Sequence, residues 1–298
     1  MSAQPQLAPD IEGLARQVDP LSRRGFFMSS AAAAAAGYTL AAGPVNAQAI
    51  TTDTTGLTDG EAKIKVEGGE MPVYFARPAN AQNAPVILVA MEVFGLHQYI
   101  RDVTRRLAKL GAFAVAPDYY FRKGDLTKIT ETSQLLPLVN AKPDTELLAD
   151  LDATAAWAKS QGGDAAKLGI MGFCRGGRTV WEYAAHSPSL KAGVAFYGPV
   201  NDPEAQKAIW PKAPSQLVGE MKAPVLGLYG EADQGIPVAQ VEAMKAALAA
   251  ANKPAEFKIY PGAPHGFHAD YRPSYRKDAA DDAWAQLTAW FKKHGVLS

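Results

Sequence analysis

Cysteine is the scarcest reactive residue in this 298-residue chain, which carries one, Cys174. No intrachain disulfide can form. A redox-active thiol protein would also lack its usual second, resolving cysteine. Net charge is missing too, with 30 Lys plus Arg against 30 Asp plus Glu. There is no basic excess for nucleic acid and no acidic excess of a solvated disordered chain. The five histidines are scattered. His265 and His268 come nearest to ligand spacing but lack the supporting ligands of a zinc site. No Gly-rich phosphate loop or dinucleotide fingerprint is present, so neither metal nor cofactor is expected. What remains is 48% hydrophobic and 20% charged, an ordinary globular mixture in a chain long enough to bury a sizeable core.

One long apolar run stands out, Met28 to Ala42. It follows Ser22-Arg23-Arg24-Gly25-Phe26-Phe27 and precedes Gly43-Pro44-Val45-Asn46-Ala47-Gln48-Ala49, which contains small-x-small cleavage signals. The arginine pair makes residues 1–49 resemble a twin-arginine export signal, read by machinery that moves folded proteins. A run of roughly 15 residues is short for a membrane span, which needs about 20. An uncleaved anchor and a buried core helix are the other readings. The expected partner is the twin-arginine machinery, and the expected location is periplasmic or secreted. No stable membrane association is expected after processing.

Residues 50–61 read as a flexible lead-in and 62–298 as one domain, without repeats or a Pro/Ser-rich linker. Ala62–Glu67 and Met71–Ala76 alternate apolar and polar residues about Gly68-Gly69, a hairpin pattern. Pro85–Ala90, Ala112–Ala116, Leu168–Met171, Ala192–Phe196, Pro224–Tyr229 and Glu256–Tyr260 read as strands. Between them lie helical patterns from Gln98 to Leu110, from a capping Asp144 to Ser160, Arg175 to His186, Val238 to Ala251, and Ser274 to Lys293. Residues 122–143 read as a polar loop with short helical pieces. Alternating strands and helices predict an α/β fold, a mostly parallel sheet with helices on both faces, whose functional groups gather at the strands' carboxyl ends.

Gly172-Phe173-Cys174-Arg175-Gly176-Gly177 joins a predicted strand to a predicted helix. This is a nucleophile-elbow context with cysteine in place of serine. The helix N-terminus favours a thiolate; an inert buried cysteine in a Gly-rich turn is the bland alternative. A nucleophile needs a base, and the base an orienting carboxylate. Asp233 and His265 follow two later predicted strands, in the chain order expected of such a triad. The bland readings are a helix cap for Asp233 and a turn residue for His265. Glu92 breaks the apolar run Pro85–Val93 at a strand end, where a buried carboxylate is costly unless paired.

The motifs Glu92-Val93-Phe94-Gly95, Pro117-Asp118-Tyr119-Tyr120, Gly172–Gly177, Gly230-Glu231-Ala232-Asp233 and His265-Gly266-Phe267 resemble the dienelactone hydrolase family, typified by carboxymethylenebutenolidase. The likeness runs from about Ile64 to Lys293. It implies the α/β-hydrolase fold and a triad of Cys174, Asp233 and His265. It also implies that Glu92 contacts the resting thiol and that the amides of Val93 and Arg175 form an oxyanion hole. The substrate would be a small ester or lactone. The family's two carboxylate-gripping arginines have no counterpart in place: residues 123–167 hold no arginine, and position 269 is alanine. Arg122 and Arg272 are displaced candidates. Phe94, Tyr120 and Tyr197 are candidate pocket aromatics, although core packing would also place them near strand ends. A thioesterase or other carboxylesterase on this fold, and a non-catalytic binding protein, are the competing functions.

Overall fold

The computed structural model describes residues 49–298. The expected signal therefore lies outside the described residues, apart from Ala49. The eight strands are β1 (Leu57–Val66), β2 (Gly69–Pro78), β3 (Pro85–Ala90), β4 (Phe113–Pro117), β5 (Asp164–Phe173), β6 (Leu190–Phe196), β7 (Val225–Gly230) and β8 (Ala255–Tyr260). They form one sheet in the order β1-β2-β4-β3-β5-β6-β7-β8. The β1–β2 and β2–β4 pairings are antiparallel, and the others are parallel. The helices are α1 (Gln98–Lys109), α2 (Thr132–Asn140), α3 (Asp144–Ser160), α4 (Arg175–His186), α5 (Val238–Ala250) and α6 (Lys277–Lys293).

Side chains of a strand alternate between the two faces of a sheet. Val86 through Ala90 of β3 are all fully buried, so both faces are covered there, as the unbroken apolar run demands. The edge strand β1 keeps one buried residue in ten, Ile64.

Several boundaries differ from the expected ones. Residues 50–61 are not a free lead-in. Leu57 onward belongs to β1, and the stretch before it is stitched to α1. The Thr52 amide donates to Asp102 (2.5 Å), Arg105 donates to the Thr52 carbonyl (3.0 Å), and Lys109 donates to the Thr55 carbonyl (2.7 Å). Polar partners on a helix 50 residues away fix what composition alone reads as loose. Asp144 opens α3 but does not cap it. Pro143 stands at the boundary, and the Asp144 carboxylate is taken by Arg178 at 2.9 and 3.1 Å. The last helix starts at Lys277 rather than Ser274, because Pro273 and a turn from Arg272 to Tyr275 occupy the preceding residues.

The crossing of β5 into α4 is held by close backbone approach. A Cβ on Gly176 would lie 2.1 Å from the Ala90 carbonyl oxygen, and one on Gly172 would lie 2.3 Å from the Gly176 oxygen. Both obstacles are backbone atoms that cannot swing away. Gly176→Ala is therefore expected to destabilise the fold by roughly 3 kcal/mol or more, at the upper end of overpacking costs, read as a lower urea midpoint.

Candidate active site

Cys174 sits between β5 and α4 with φ 54° and ψ −119°, a conformation L residues rarely adopt. Its amide donates to the Phe196 carbonyl of β6 (3.0 Å), and its own carbonyl accepts from Gly177 (2.9 Å). The strained turn is thus clamped from both sides, and the thiol stands at a helix N-terminus. Asp233 lies past β7. Its Oδ1 accepts the amides of Gly235 (2.9 Å) and Ile236 (3.1 Å), while Oδ2 meets His265 Nδ1 at 2.6 Å. The two oxygens of one carboxylate thus divide between a cap-like contact and the contact with His265. His265 follows β8 and is bound to the Cys174 sulfur by charge and a hydrogen bond. Burial would lower the proton affinity of His265. The Cys174 sulfur and the Asp233 carboxylate outweigh that and raise it well above the usual histidine range.

Because β3, β5, β6, β7 and β8 run parallel, their carboxyl ends share one edge, and Glu92, Cys174, Asp233 and His265 all come from it. Glu92 is buried and paired. Tyr271 donates to its Oε2 (2.9 Å), and His97 Nε2 lies 3.2 Å from the same atom. Burial pushes this carboxyl up, but His97, Arg272 and Tyr271 more than compensate, so its pKa lies below the ordinary glutamate value. Arg272 is buried, with its guanidinium 4.3 Å from the Phe94 ring centre and 4.7 Å from that of Tyr271. Its Nε and Nη1 have no hydrogen-bond partner, and its charge is felt alongside both Glu92 and Cys174. Phe94, His97, Tyr271 and Arg272 also line a cavity of about 670 Å³, together with Leu126 and Ile129; Cys174, Asp233 and His265 are not in its wall.

Among the described residues, no loop or turn hydrogen bond takes up the amide of Val93 or of Arg175. Tyr197 is fully buried, its ring centre 5.0 Å from that of His265, so it packs behind His265 rather than lining an open pocket. Tyr120 is buried within the electrostatic reach of Cys174 and Arg175. Arg122 is not brought to the site. Asp150 (2.8 and 2.9 Å), Glu146 and the Glu67 carbonyl hold it beside the β1–β2 turn, which removes it as a substrate ligand. His268 is also elsewhere, buried against Phe173 with Nδ1 2.6 Å from the Tyr99 hydroxyl. Sequence reasoning missed His97 and Tyr271 as partners of Glu92. It also missed the Arg175 side chain, which lies 3.6 Å over the Trp210 ring. The spacing Glu92–His97 was the one local signal available.

This sheet order and a nucleophile elbow facing a His–Asp pair define a hydrolase of the α/β-hydrolase fold class. The family model described as "Dienelactone hydrolase family" matches residues 71–295, and the chain belongs to that family. A "Putative carboxymethylenebutenolidase" of Methylorubrum extorquens is 51% identical over 291 residues, covering 96% of this chain and 98% of the relative. A protein of the same name from Escherichia coli is 45% identical, covering 87% and 96%. The "Crystal Structure of Putative Dienelactone Hydrolase" from Klebsiella pneumoniae matches with a TM-score of 0.77 at 47% identity, covering 80% of this chain and 99% of that one. A Pyrococcus horikoshii acylaminoacyl peptidase, at 16% identity and a TM-score of 0.65, covers 80% of this chain and 42% of its own; that likeness is of fold alone.

Burial among aromatic rings pushes His268 down to about 3, against about 6.5 when unfolded. The unfolded chain therefore binds the extra proton first. The stability this residue contributes is complete above about pH 6.5 and is lost as pH falls toward 3. Between those limits the expected loss is about 1.4 kcal/mol per pH unit. Melts at pH 7 and pH 5 check it, and His268→Gln should flatten the difference.

Proposed function

We propose that this chain hydrolyses a small ester or lactone through Cys174 as nucleophile and a covalent acyl-enzyme. The observation that carries the reading is the strained Cys174 turn facing the His265–Asp233 pair, whose 2.6 Å contact fixes the ring so that its other nitrogen serves the sulfur. The thiolate attacks the carbonyl carbon. The amides of Val93 and Arg175 receive the developing oxyanion. His265 gives its proton to the leaving alkoxide and then takes one from the water that releases the acid. Asp233 orients the imidazole and balances its charge. Glu92, whose carboxylate is held by Tyr271 and His97 rather than by a hydrogen bond to Cys174, becomes a second base for the thiol when a bound substrate displaces it from these partners. A thioesterase would use the same groups, and nothing in the cavity favours it.

The substrate carries an anionic group, a carboxylate being the simplest. Two buried guanidinium nitrogens of Arg272, Nε and Nη1, lack hydrogen-bond partners, which is costly, and an anionic group bound along either edge of the guanidinium would answer one of them together with the charge. Phe94 would support the adjoining apolar part. The enzyme works outside the cytoplasm, after export directed by Arg23-Arg24.

Cys174→Ala is expected to lower kcat/KM by at least roughly 10³-fold, on the scale of triad losses, while Cys174→Ser keeps a measurable remnant. Full activity in the Ala variant would refute the nucleophile. Glu92→Gln should slow single-turnover acylation by about 10²-fold; unchanged acylation with an early melt would make Glu92 a brace only. Arg272→Met should raise KM about tenfold or more for a carboxylate-bearing ester, with little effect on a neutral ester of equal size.

A further inference from the structure

The first described residues belong to the wall of the same cavity. Ala49, Ile50 and Thr51 line it with His97, Tyr271 and Arg272. The Ile50 backbone amide approaches the Asp270 carboxylate closely enough to lower its proton affinity. Yet Oδ1 of Asp270 is buried without a completed hydrogen bond, and Asp270 is 6% exposed. The other Asp270 oxygen meets Arg106 at 2.5 Å, but Arg106 is shared with Asp102 at 2.6 Å. Asp102 in turn holds the Thr52 amide and Arg105. Asp270 is therefore a buried carboxylate whose charge is only half answered, and it shares the cavity wall with Ile50, whose amide is among the groups that act on it. The Ala49–Ile50 bond itself is at the surface; both residues are exposed, Ile50 by 47%. It is also the bond that follows the small-x-small sequence Ala47-Gln48-Ala49.

We propose that the chain is processed between Ala49 and Ile50, and that the new α-ammonium of Ile50 docks on Asp270 and sets the position of Arg272 in the cavity that both line, which the proposed function reads as the site of the substrate's anionic group. The inference rests on the export reading for the identity of the cut. Water adds across the Ala49–Ile50 amide under a signal peptidase. Ala49 leaves with the carboxylate. Ile50 keeps the nitrogen, which binds a proton because an α-amino group titrates near 8. One amide donor is thereby replaced by three charged ones beside a carboxylate that has an oxygen without a partner. A charge-assisted bond of this kind is about twice as strong as a neutral one. Asp270 adjoins Tyr271 and Arg272 in sequence, and Tyr271 holds Glu92. Tightening Asp270 therefore fixes the strand of chain that presents the guanidinium to an anionic substrate. Asp270 and Ile50 are positioning residues: neither meets the reacting atoms.

The test begins with the full chain. Mass spectrometry of the protein recovered from the periplasm is expected to show Ile50 as the first residue, and any other start overturns the assigned cut. Separately, Asn46→Ile, Ala47→Glu, Gln48→Gly and Ala49→Arg together install a site for a protease that cuts after that tetrapeptide. The purified chain is compared before and after cutting. Cutting is expected to raise Tm by about 3 °C, the shift of roughly 1 kcal/mol at this size. It should lower KM for a carboxylate-bearing ester on the order of fivefold, the low end of inter-site coupling, with kcat nearly unchanged. Both gains should vanish in Asp270→Asn. They should also vanish in a chain cut one residue earlier, so that Ala49 remains, which decides the matter if Asp270→Asn does not fold. Equal melts and equal KM before and after cutting, or the same gains with Ala49 retained, would overturn the socket. If Arg23→Lys with Arg24→Lys leaves export unchanged, the export reading fails while the cut chains still decide the socket. The melt reports on it whether or not Cys174 is the nucleophile.

Discussion

Cys174 is held at φ 54° by contacts that leave its backbone no alternative. A non-glycine residue in such a conformation costs on the order of 1–3 kcal/mol and persists only where its surroundings over-determine it. Here the restraint comes from β6 through the Phe196 carbonyl, from the first turn of α4 through Gly177, and from β3 through the contact of Gly176 with Ala90. Three adjacent strands and one helix are thus locked into a fixed relation by a single turn. The same lock puts the thiol at the head of α4 and leaves the flanking amide of Arg175 outside the helix's own bonding. The other members of the site depend on this placement, because they reach it from loops on the same sheet edge.

Buried charge is distributed on two sides of that turn. Behind it, Arg178 meets Asp144, Asp202 and Glu182. This ties the start of α3 and the chain after β6 to α4. Burial and the neighbouring Asp144 push Glu182 upward against the pull of Arg178, so this group holds a carboxyl with raised proton affinity. In front of the turn the balance is reversed. Glu92 is ionised among His97, Tyr271 and Arg272, and Arg272 retains donors that the protein does not use. Arg178 is answered by three carboxylates on one side, although Glu182 Oε2 and the Arg175 guanidinium beside it lack hydrogen-bond partners, and Arg272 on the other side faces the cavity.

The fold does not select the reaction. A peptidase shares it at 16% identity, and sites on one fold serve many chemistries. What distinguishes this chain is the chemistry at the strand ends: a thiol in the elbow, a second buried carboxylate on the neighbouring strand, and aromatic rings around an arginine.

Much of this was legible in the sequence. Short, β-branched apolar runs such as Val86–Ala90, bounded by turn signals, read as strands covered on both faces. The Gly-x-Cys-x-Gly-Gly turn announces a tight strand-to-helix crossing, because nothing larger fits. The order of Cys174, Asp233 and His265 along the chain sufficed to nominate all three, since parallel strands bring their ends to one edge. The family motifs between Glu92 and Phe267 carried the rest. Side-chain partnerships across long separations were not legible. Arg122 and Arg272 are both displaced from the family's arginine positions, yet one is bound by Asp150 and the other faces the cavity. Residues 50–56 have the composition of a loose tail, yet Asp102, Arg105 and Lys109 hold them. His268 sits three residues from His265, yet it turns into the core against Tyr99. Periodicity and local motifs follow from the geometry of one strand or helix, and the sequence carries that geometry in full. Which charges meet is set by how elements pack, and only the tertiary structure decides it.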